Sequence, residues 1–367
     1  MKKVKLGEVG CIVTGNTPST KDVKNYTSED ICFIKPSDIF DNTITKITNS
    51  EFYISEHARS KARILPPKSV LVTCIGIIGK VGVNVAEVAF NQQINAIIPN
   101  KEICNYKYLA YSILSAKEKL NCVANAPVVP IINKTQFSEL EIPLPSLEEQ
   151  KEIADRLDKV SSLIEKRKTQ LSKLDQLIKS RFIEMFGLFD KVELYTVADI
   201  IMGQSPESSS YNDNGKGTPF FQGKADYGDK YTVVRHWTDK PTKRAKQGDV
   251  LMSVRAPVGP VNISSVDCCI GRGLCSINAH KSKTNNEFLY NALKTIENEI
   301  ASMGTGSTFK AITKNDVYSL LIPNAPFDLQ EAFSHFVEQT DKSKLAIQKS
   351  IDKLETLKKS LMQQYFG

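Results

Sequence analysis

Two stretches of this chain carry apolar residues at alternating steps of four and three. The first runs Ile153, Leu157, Val160, Ile164, Leu171, Leu174, Ile178 and Met185, with Arg167 and Arg181 filling its two gaps. Adding 180 to each position gives the second: Phe333, Val337, Thr340, Lys344, Ile347, Ile351, Leu354, Lys358, Leu361 and Tyr365, a similar seam with three polar interruptions. This heptad spacing predicts two long helices, each with one apolar stripe. Neither stretch contains proline or glycine, and each ends at Phe-Gly, a helix-stop signal. Ahead of the first, Pro143-Leu144-Pro145 stops the preceding strand, and Ser146 with Glu149 three residues on forms a capping-box signature. A helix of about 40 residues is about 60 Å long and cannot bury its stripe alone. The apolar members of the two seams are therefore expected to pair, and a globular segment before each helix makes the pairing antiparallel.

Outside these stretches the pattern changes to short β-branched runs between Gly/Pro turns. Ser69 to Cys74, Gly82 to Val85 and Val250 to Val254 read as strands, and Tyr106 to Leu120 and Glu287 to Ile300 as helices. The expected fold is mixed α/β. Two similar globular domains, 1–145 and 188–326, are separated by two long helices, 146–187 and 327–367, pairing as an antiparallel coiled coil.

The similarity of the domains is written in the sequence. Ile132 to Pro143 matches Ile312 to Pro323, and Ser180 to Gly187 matches Ser360 to Gly367, at offsets of 323 − 143 = 180 and 367 − 187 = 180. Val70-Leu71, Gly79, Val81 and Ile97 fall on Val250-Leu251, Gly259, Val261 and Ile277 at the same offset. Earlier, Gly15-Asn16-Thr17-Pro18 answers Gly203-Gln204-Ser205-Pro206 at 188, so the second copy is eight residues shorter between that turn and the Val-Leu strand. A whole domain is duplicated, which predicts a pseudo-two-fold internal repeat with two similar working surfaces.

Composition adds bounds. At 367 residues, 41% hydrophobic and 24% charged, the chain has the makeup of a soluble globular protein of two or three domains. No apolar run approaches the roughly 18 residues of a membrane span, because Lys80 and Glu87 interrupt the greasiest stretch. Eight cysteines without Cys-x-x-Cys spacing read as reduced thiols of a cytoplasmic protein. A net charge of +7 favours a polyanionic partner mildly.

Signals for catalysis are poor. Gly76-Ile77-Ile78-Gly79-Lys80 lacks the spacing and following hydroxyl of a phosphate loop, and its counterparts Ala256 and Pro260 make it a tight turn. Gly271-Arg272-Gly273 and Gly304-Thr305-Gly306 lack a third glycine. Asn324-Ala325-Pro326-Phe327 resembles a DNA amino-methyltransferase signature but sits at a domain–helix junction. His57, His236, His280 and His335 are scattered, which argues against a metal, and no cofactor is expected. What is enriched is a set of polar loops bearing side chains suited to bases and phosphates. In the first copy these are Lys35, Thr73, Lys80, Gln92 and Gln93. In the second they are Gln204, Ser205, Tyr211, Lys224, Arg235, Lys243, Arg244, Arg255, Arg272, Thr308 and Lys310. Arg255 and Arg272 are expected on the DNA-facing side, with Lys243 and Arg244 on a phosphate-contacting rim.

Several strings carry a family resemblance: Gly203-Gln204-Ser205-Pro206, Pro219-Phe220-Phe221-Gln222-Gly223, Ser253 to Gly259, Ile270 to Leu274, Gly306 to Phe309, and Ile142-Pro143-Leu144-Pro145 leading into Glu149-Gln150-Lys151. Over its full length the chain resembles a specificity (S) subunit of a type I restriction-modification system. That resemblance implies target-recognition domains that each read half of a split double-stranded DNA sequence. It further implies helices that space the halves and dock two methyltransferase (M) subunits, restriction (R) subunits joining through them, and no catalysis by the chain itself. The second helix departs from the pattern with Pro323 to Gln330 at its start and polar residues on its seam. A self-contained methyltransferase or nuclease, and a purely structural scaffold, are the rival readings.

Overall fold

The computed structural model describes residues 2–124, 129–305 and 310–367. They fall into two compact units, Met1–Arg167 with Ser350–Gly367, and Lys168–Lys349. The long helices are Leu147–Phe186 and Phe327–Phe366, so each contributes residues to both units.

In the first unit a five-stranded sheet runs, edge to edge, Gly10–Thr14, Ile94–Pro99, Val70–Thr73, Val81–Asn84 and Ile44–Ile47. A four-stranded sheet runs Tyr53–Ile54, Ile31–Ile34, Val88–Phe90 and Ile64–Leu65. Strand alternation between two covered faces explains why Val70–Thr73 is buried throughout. Val70 and Val72 face the helix side with Leu109, Ile113 and Phe137, while Leu71 faces the second sheet with Ile34, Leu65 and Phe90. The second unit repeats the plan. Val250 and Met252 pack with Phe288 and Leu289, and Leu251 packs with Phe221, Ile270 and Leu274. In both, a parallel pair lies in the second sheet: Ile31–Ile34 with Val88–Phe90, and Thr218–Phe221 with Cys268–Ile270.

The helix expected over Tyr106 to Leu120 is two helices, Tyr106–Ser115 and Lys117–Val123, bent at Ala116. Its counterpart divides at Ile296 into Asn286–Thr295 and Glu297–Met303. The bend returns Leu120 and Ile300 to the core, where each is at most 2% exposed. Asn105 and Asn285 cap the leading helices through their side-chain oxygens.

The capping box at Ser146 forms: the Ser146 N–H donates to Glu149 Oε2 at 2.9 Å, and the Glu149 N–H donates to Ser146 Oγ at 3.3 Å. Within the first unit Ile153, Leu157, Val160, Ile164 and Ile351 are buried, and Leu354 and Leu361 partly so. Phe366 seats against Tyr108 with ring centroids 5.3 Å apart. Within the second unit Ile178, Phe333, Val337 and Ile347 are buried, and Leu171 and Leu174 partly so. The far end of the first helix departs from the heptad reading. Beyond Ile178 the buried positions are Phe182 and Phe186, whereas Arg181 is exposed and pairs with Glu184. A straight helix drifts about 20° per heptad, and this end packs onto Phe288 of the domain as well as Phe333, so four-residue steps take over.

Two residues missed by the seam reading fix the helices to their domains. Gln150 is wholly buried: it accepts from the Asn105 N–H at 2.9 Å and donates to Ile103 and Pro145 carbonyls. Gln330, 180 positions on, accepts from Thr284 Oγ1 and donates to Lys283 and Ala325 carbonyls.

Candidate nucleic-acid interface

The loops at the ends of the central strands build a cleft in the second copy. Strand Val250–Ser253 delivers Arg255, whose carbonyl accepts from Ser253 Oγ at 2.9 Å. The next residue donates its N–H to the Lys310 carbonyl at 3.0 Å. Between strands Cys268–Ile270 and Leu274–Ala279, the turn Gly271-Arg272-Gly273 donates the Arg272 N–H to Ser205 Oγ at 3.2 Å. Two glycines are required by close approach here. A Cβ on Gly203 would lie 2.1 Å from the Gly271 carbonyl oxygen, and one on Gly273 would lie 2.4 Å from that of Gln222. Asp226 holds the Gln222 N–H at 2.7 Å, so the loop is fixed from behind.

The result is an open cleft of about 690 Å³ lined by Ser205, Tyr211, Gln222, Lys224, Arg255 and Arg272 among others. Five of these were expected from sequence, Gln222 being quoted there only within a longer string. Arg255 and Arg272 are exposed, and neither guanidinium has a hydrogen-bonding or ionic partner among the described residues. Tyr211 is a wall: its hydroxyl donates to the Pro206 carbonyl at 2.9 Å and its ring packs on Phe220. Gln204, Arg235, Lys243, Arg244 and Lys310 lie outside the cleft lining. Gln204 is exposed with its carbonyl engaged by Thr242, and Arg235 donates to the Ala225 carbonyl. Lys243 and Arg244 are exposed at the edge strand paired with Cys268–Ile270. Lys310 is exposed beside Ala256, and Thr308 falls outside the described residues.

The first copy places its counterparts differently. Thr73 must be withdrawn as a contact residue: it is fully buried, its Oγ1 donating to the Ile77 carbonyl at 2.6 Å and accepting from the Lys80 N–H at 3.1 Å. Its position inside the central strand, on the side that turns back, explains this. It braces the turn as Ser253 does in the second copy. Lys80 Nζ donates to the Pro36 carbonyl at 3.1 Å, and Lys35 Nζ lies 3.1 Å over the Phe52 ring. Both lysines are half-buried. Gln93 is likewise half-buried and bonded to Asn91. Gln92 is exposed, with Thr17 Oγ1 donating to its oxygen at 2.6 Å, and its amide N–H groups have no partner among the described residues.

Chemistry of other kinds finds little support. Burial pushes the Cys74 and Cys268 thiols up to about 11 and those of Cys104 and Cys275 to about 12, so all four are neutral at physiological pH. Among the described residues no three His, Cys, Asp or Glu side chains cluster as a metal site, and no helix is long and apolar enough to cross a membrane.

Comparison with known proteins agrees with this picture. Residues 1–176 and 188–358 each match the type I restriction modification DNA specificity domain. The chain is 38% identical over 288 residues to the putative type I restriction enzyme MjaX specificity subunit of Methanocaldococcus jannaschii, covering 72% of this chain and 68% of that one. It is 26% identical to the MjaIX specificity subunit of the same organism, covering 99% and 91%. Among solved structures it is similar to a chain from work on complex assembly and conformational transition of the type I R-M system, with a TM-score of 0.65, 29% identity and coverage of 99% and 97%. The S subunit from M. genitalium, at 15% identity, TM-score 0.62 and coverage of 100% and 96%, shares the fold. A duplicated α/β domain, two long helices and matches over both copies together place the chain: it belongs to the non-catalytic specificity subunits of type I restriction-modification systems.

Proposed function

We propose that the chain reads a bipartite DNA sequence, one half with each of the domains 1–145 and 188–326, and that helices 146–187 and 327–367 fix the unread spacer. The same helices dock two methyltransferase subunits, through which restriction subunits join, and the assembly acts in the cytoplasm. The carrying observation is the cleft of the second copy, where free guanidinium groups, an amide and a lysine converge on one open surface. Arginine suits guanine, glutamine suits adenine, and lysine suits phosphate.

The test is methylation of random duplex DNA by the chain together with its methyltransferase partners, the modified sites being read by single-molecule sequencing. The expected motif has two specified parts with centres about 34 Å, or about 10 base pairs, apart. One uninterrupted short motif counts against the proposal. The isolated chain, given S-adenosylmethionine and target, is expected to transfer no methyl group, and transfer without partners would restore the methyltransferase reading. Replacing Lys243 or Arg244 by alanine should weaken binding evenly across sequences and flatten the salt dependence by about one unit of slope each.

A further inference from the structure

The two copies hold matched positions by the same backbone bonds, yet fill them with different chemistry. Ile75 bridges Ile131 as Arg255 bridges Ala311, and the Gly76 N–H reaches the Pro130 carbonyl at 3.1 Å as the Ala256 N–H reaches that of Lys310 at 3.0 Å. Arg272 answers to Gln92 at the offset of 180, and Ser205, which receives the Arg272 N–H, answers to Thr17, which donates to Gln92. Where the second copy has Arg255 and Arg272, the first therefore has Ile75 and Gln92. Two residues beyond Ile75, in the same turn, is Ile77, 60% exposed.

The distribution of arginine over the domains sharpens the contrast. Arg59 and Arg63 of the first copy are both committed internally, to Glu56 and Glu87 and to the Thr14 carbonyl. Its candidate lysines are committed too, as described for Lys35 and Lys80. In the second copy Arg244, Arg255 and Arg272 have no such partner among the described residues. A guanidinium reads guanine O6 and N7 as a fork, a glutamine amide reads adenine N6 and N7, and an apolar side chain meets the thymine methyl.

We infer that the two half-sites differ in kind: the half read by the second copy contains guanines contacted by Arg255 and Arg272, and the half read by the first is specified at A·T pairs through Gln92 and Ile77. This rests on the bipartite reading proposed above. The tip residues carry the difference, while Thr73 and Ser253 each donate a hydroxyl to a carbonyl of their own turn, that of Ile77 and that of Arg255.

The experiment uses the full chain in complex with its methyltransferase subunits. The methylated motif is read for the parent and for Arg255→Ala, Arg272→Ala, Arg272→Lys, Gln92→Ala and Ile77→Ala. Each arginine replacement should relax a guanine position in one half only, with discrimination there falling about 5- to 150-fold. Arg272→Lys should keep overall affinity and weaken the guanine preference through loss of the planar fork, which a role confined to phosphate or to loop bracing would not produce. Gln92→Ala and Ile77→Ala should relax A·T positions in the other half. A parent motif with no G·C pair in the arginine-sensitive half, arginine and Gln92 variants acting on the same half, or unchanged guanine preference in both Arg255→Ala and Arg272→Ala would each overturn the inference while leaving the bipartite reading intact. A parent motif that is not bipartite would instead remove the reading on which it rests.

Discussion

The helix seam of the first unit and that of the second perform the same packing task with different materials. In the first, Ile153 and Leu157 pack with Phe366, Leu361, Tyr108 and Tyr111, and Val160, Ile164 and Ile351 are buried apolar positions along the seam. In the second, Thr340 lies buried with its hydroxyl turned back onto the Phe336 carbonyl, and Lys344 reaches Asp175 at 2.7 Å. Beside them Lys230, 13% exposed, bridges Glu287 at 2.9 Å and Asp341 at 2.6 Å. Burial opposes its charge, but the two carboxylates outweigh that cost and hold the ammonium protonated well above the ordinary lysine range. A buried ion pair contributes little net stability compared with an apolar filling, yet breaking it leaves an uncompensated charge. The second seam therefore trades adhesion for a demand on register, since its charges must meet their partners.

The largest expected effect breaks the aromatic end of that comparison. Phe186 is fully buried among Phe182, Phe288 and Phe333, so Phe186→Ala should destabilise the second unit by about 3–5 kcal/mol. Phe366→Ala, at the matched position with fewer ring neighbours, should cost less. Urea unfolding of both variants decides the order, and equal costs would refute the asymmetry.

Lys230→Met comes next, at about 3 kcal/mol, because it strands Glu287 and Asp341. Adding Glu287→Leu and Asp341→Leu should recover most of that loss. A raised folded pKa means the stabilisation is fully present below the unfolded lysine value of about 10.4 and fades only as pH rises through the folded value. Denaturation at neutral pH and then at increasing alkaline pH measures both points. Gln150→Ala and Gln330→Ala should follow at about 1–3 kcal/mol each, nearly equal, because each leaves buried polar groups unpaired in the same arrangement.

The smallest effect separates the two helix starts. Glu149 is hydrogen-bonded by the Ser146 hydroxyl and then by the Ser146 N–H, which hold its carboxyl below the ordinary range. Its contribution is present above the unfolded carboxylate value of about 4.3 and is lost as pH falls through the lower folded value. The second helix has Leu329 at that position, so Glu149→Gln should blunt a mild acid sensitivity at the first start and leave the second unaffected. Helicity followed by circular dichroism between neutral and acid pH checks this.

Period and punctuation made the frame legible. Heptad steps, Ser146 with Glu149, and the offset of 180 all reflect local backbone rules that sequence states directly. The bends at Ala116 and Ile296 were not legible, because nothing at those residues breaks a helix and the bend is imposed by where Leu120 and Ile300 must go. The shift to Phe182 and Phe186 likewise depends on contact with Phe288, which periodicity along one helix cannot contain. In the cleft, residue type found Arg255 and Arg272 but misplaced Thr73, since a polar residue ending an apolar strand looks the same whether it points out or ties its own turn. The identical residues at 150 and 330 were a signal that could have revealed the helix-to-domain tie.

The central strand of each unit divides two cores that share no side chain, Val70 and Val72 on one side and Leu71 on the other. Changes that accumulate among the loops above Leu71 or Leu251 disturb the packing of one face and reach the long helices through the backbone of that strand and, in the second unit, through Lys230, which bridges to Asp341. The eight-residue difference in spacing between the copies falls entirely on the stretch before this strand. The strand acts as a bulkhead between the two faces: the copies differ in length ahead of it and keep a single offset of 180 from it onward.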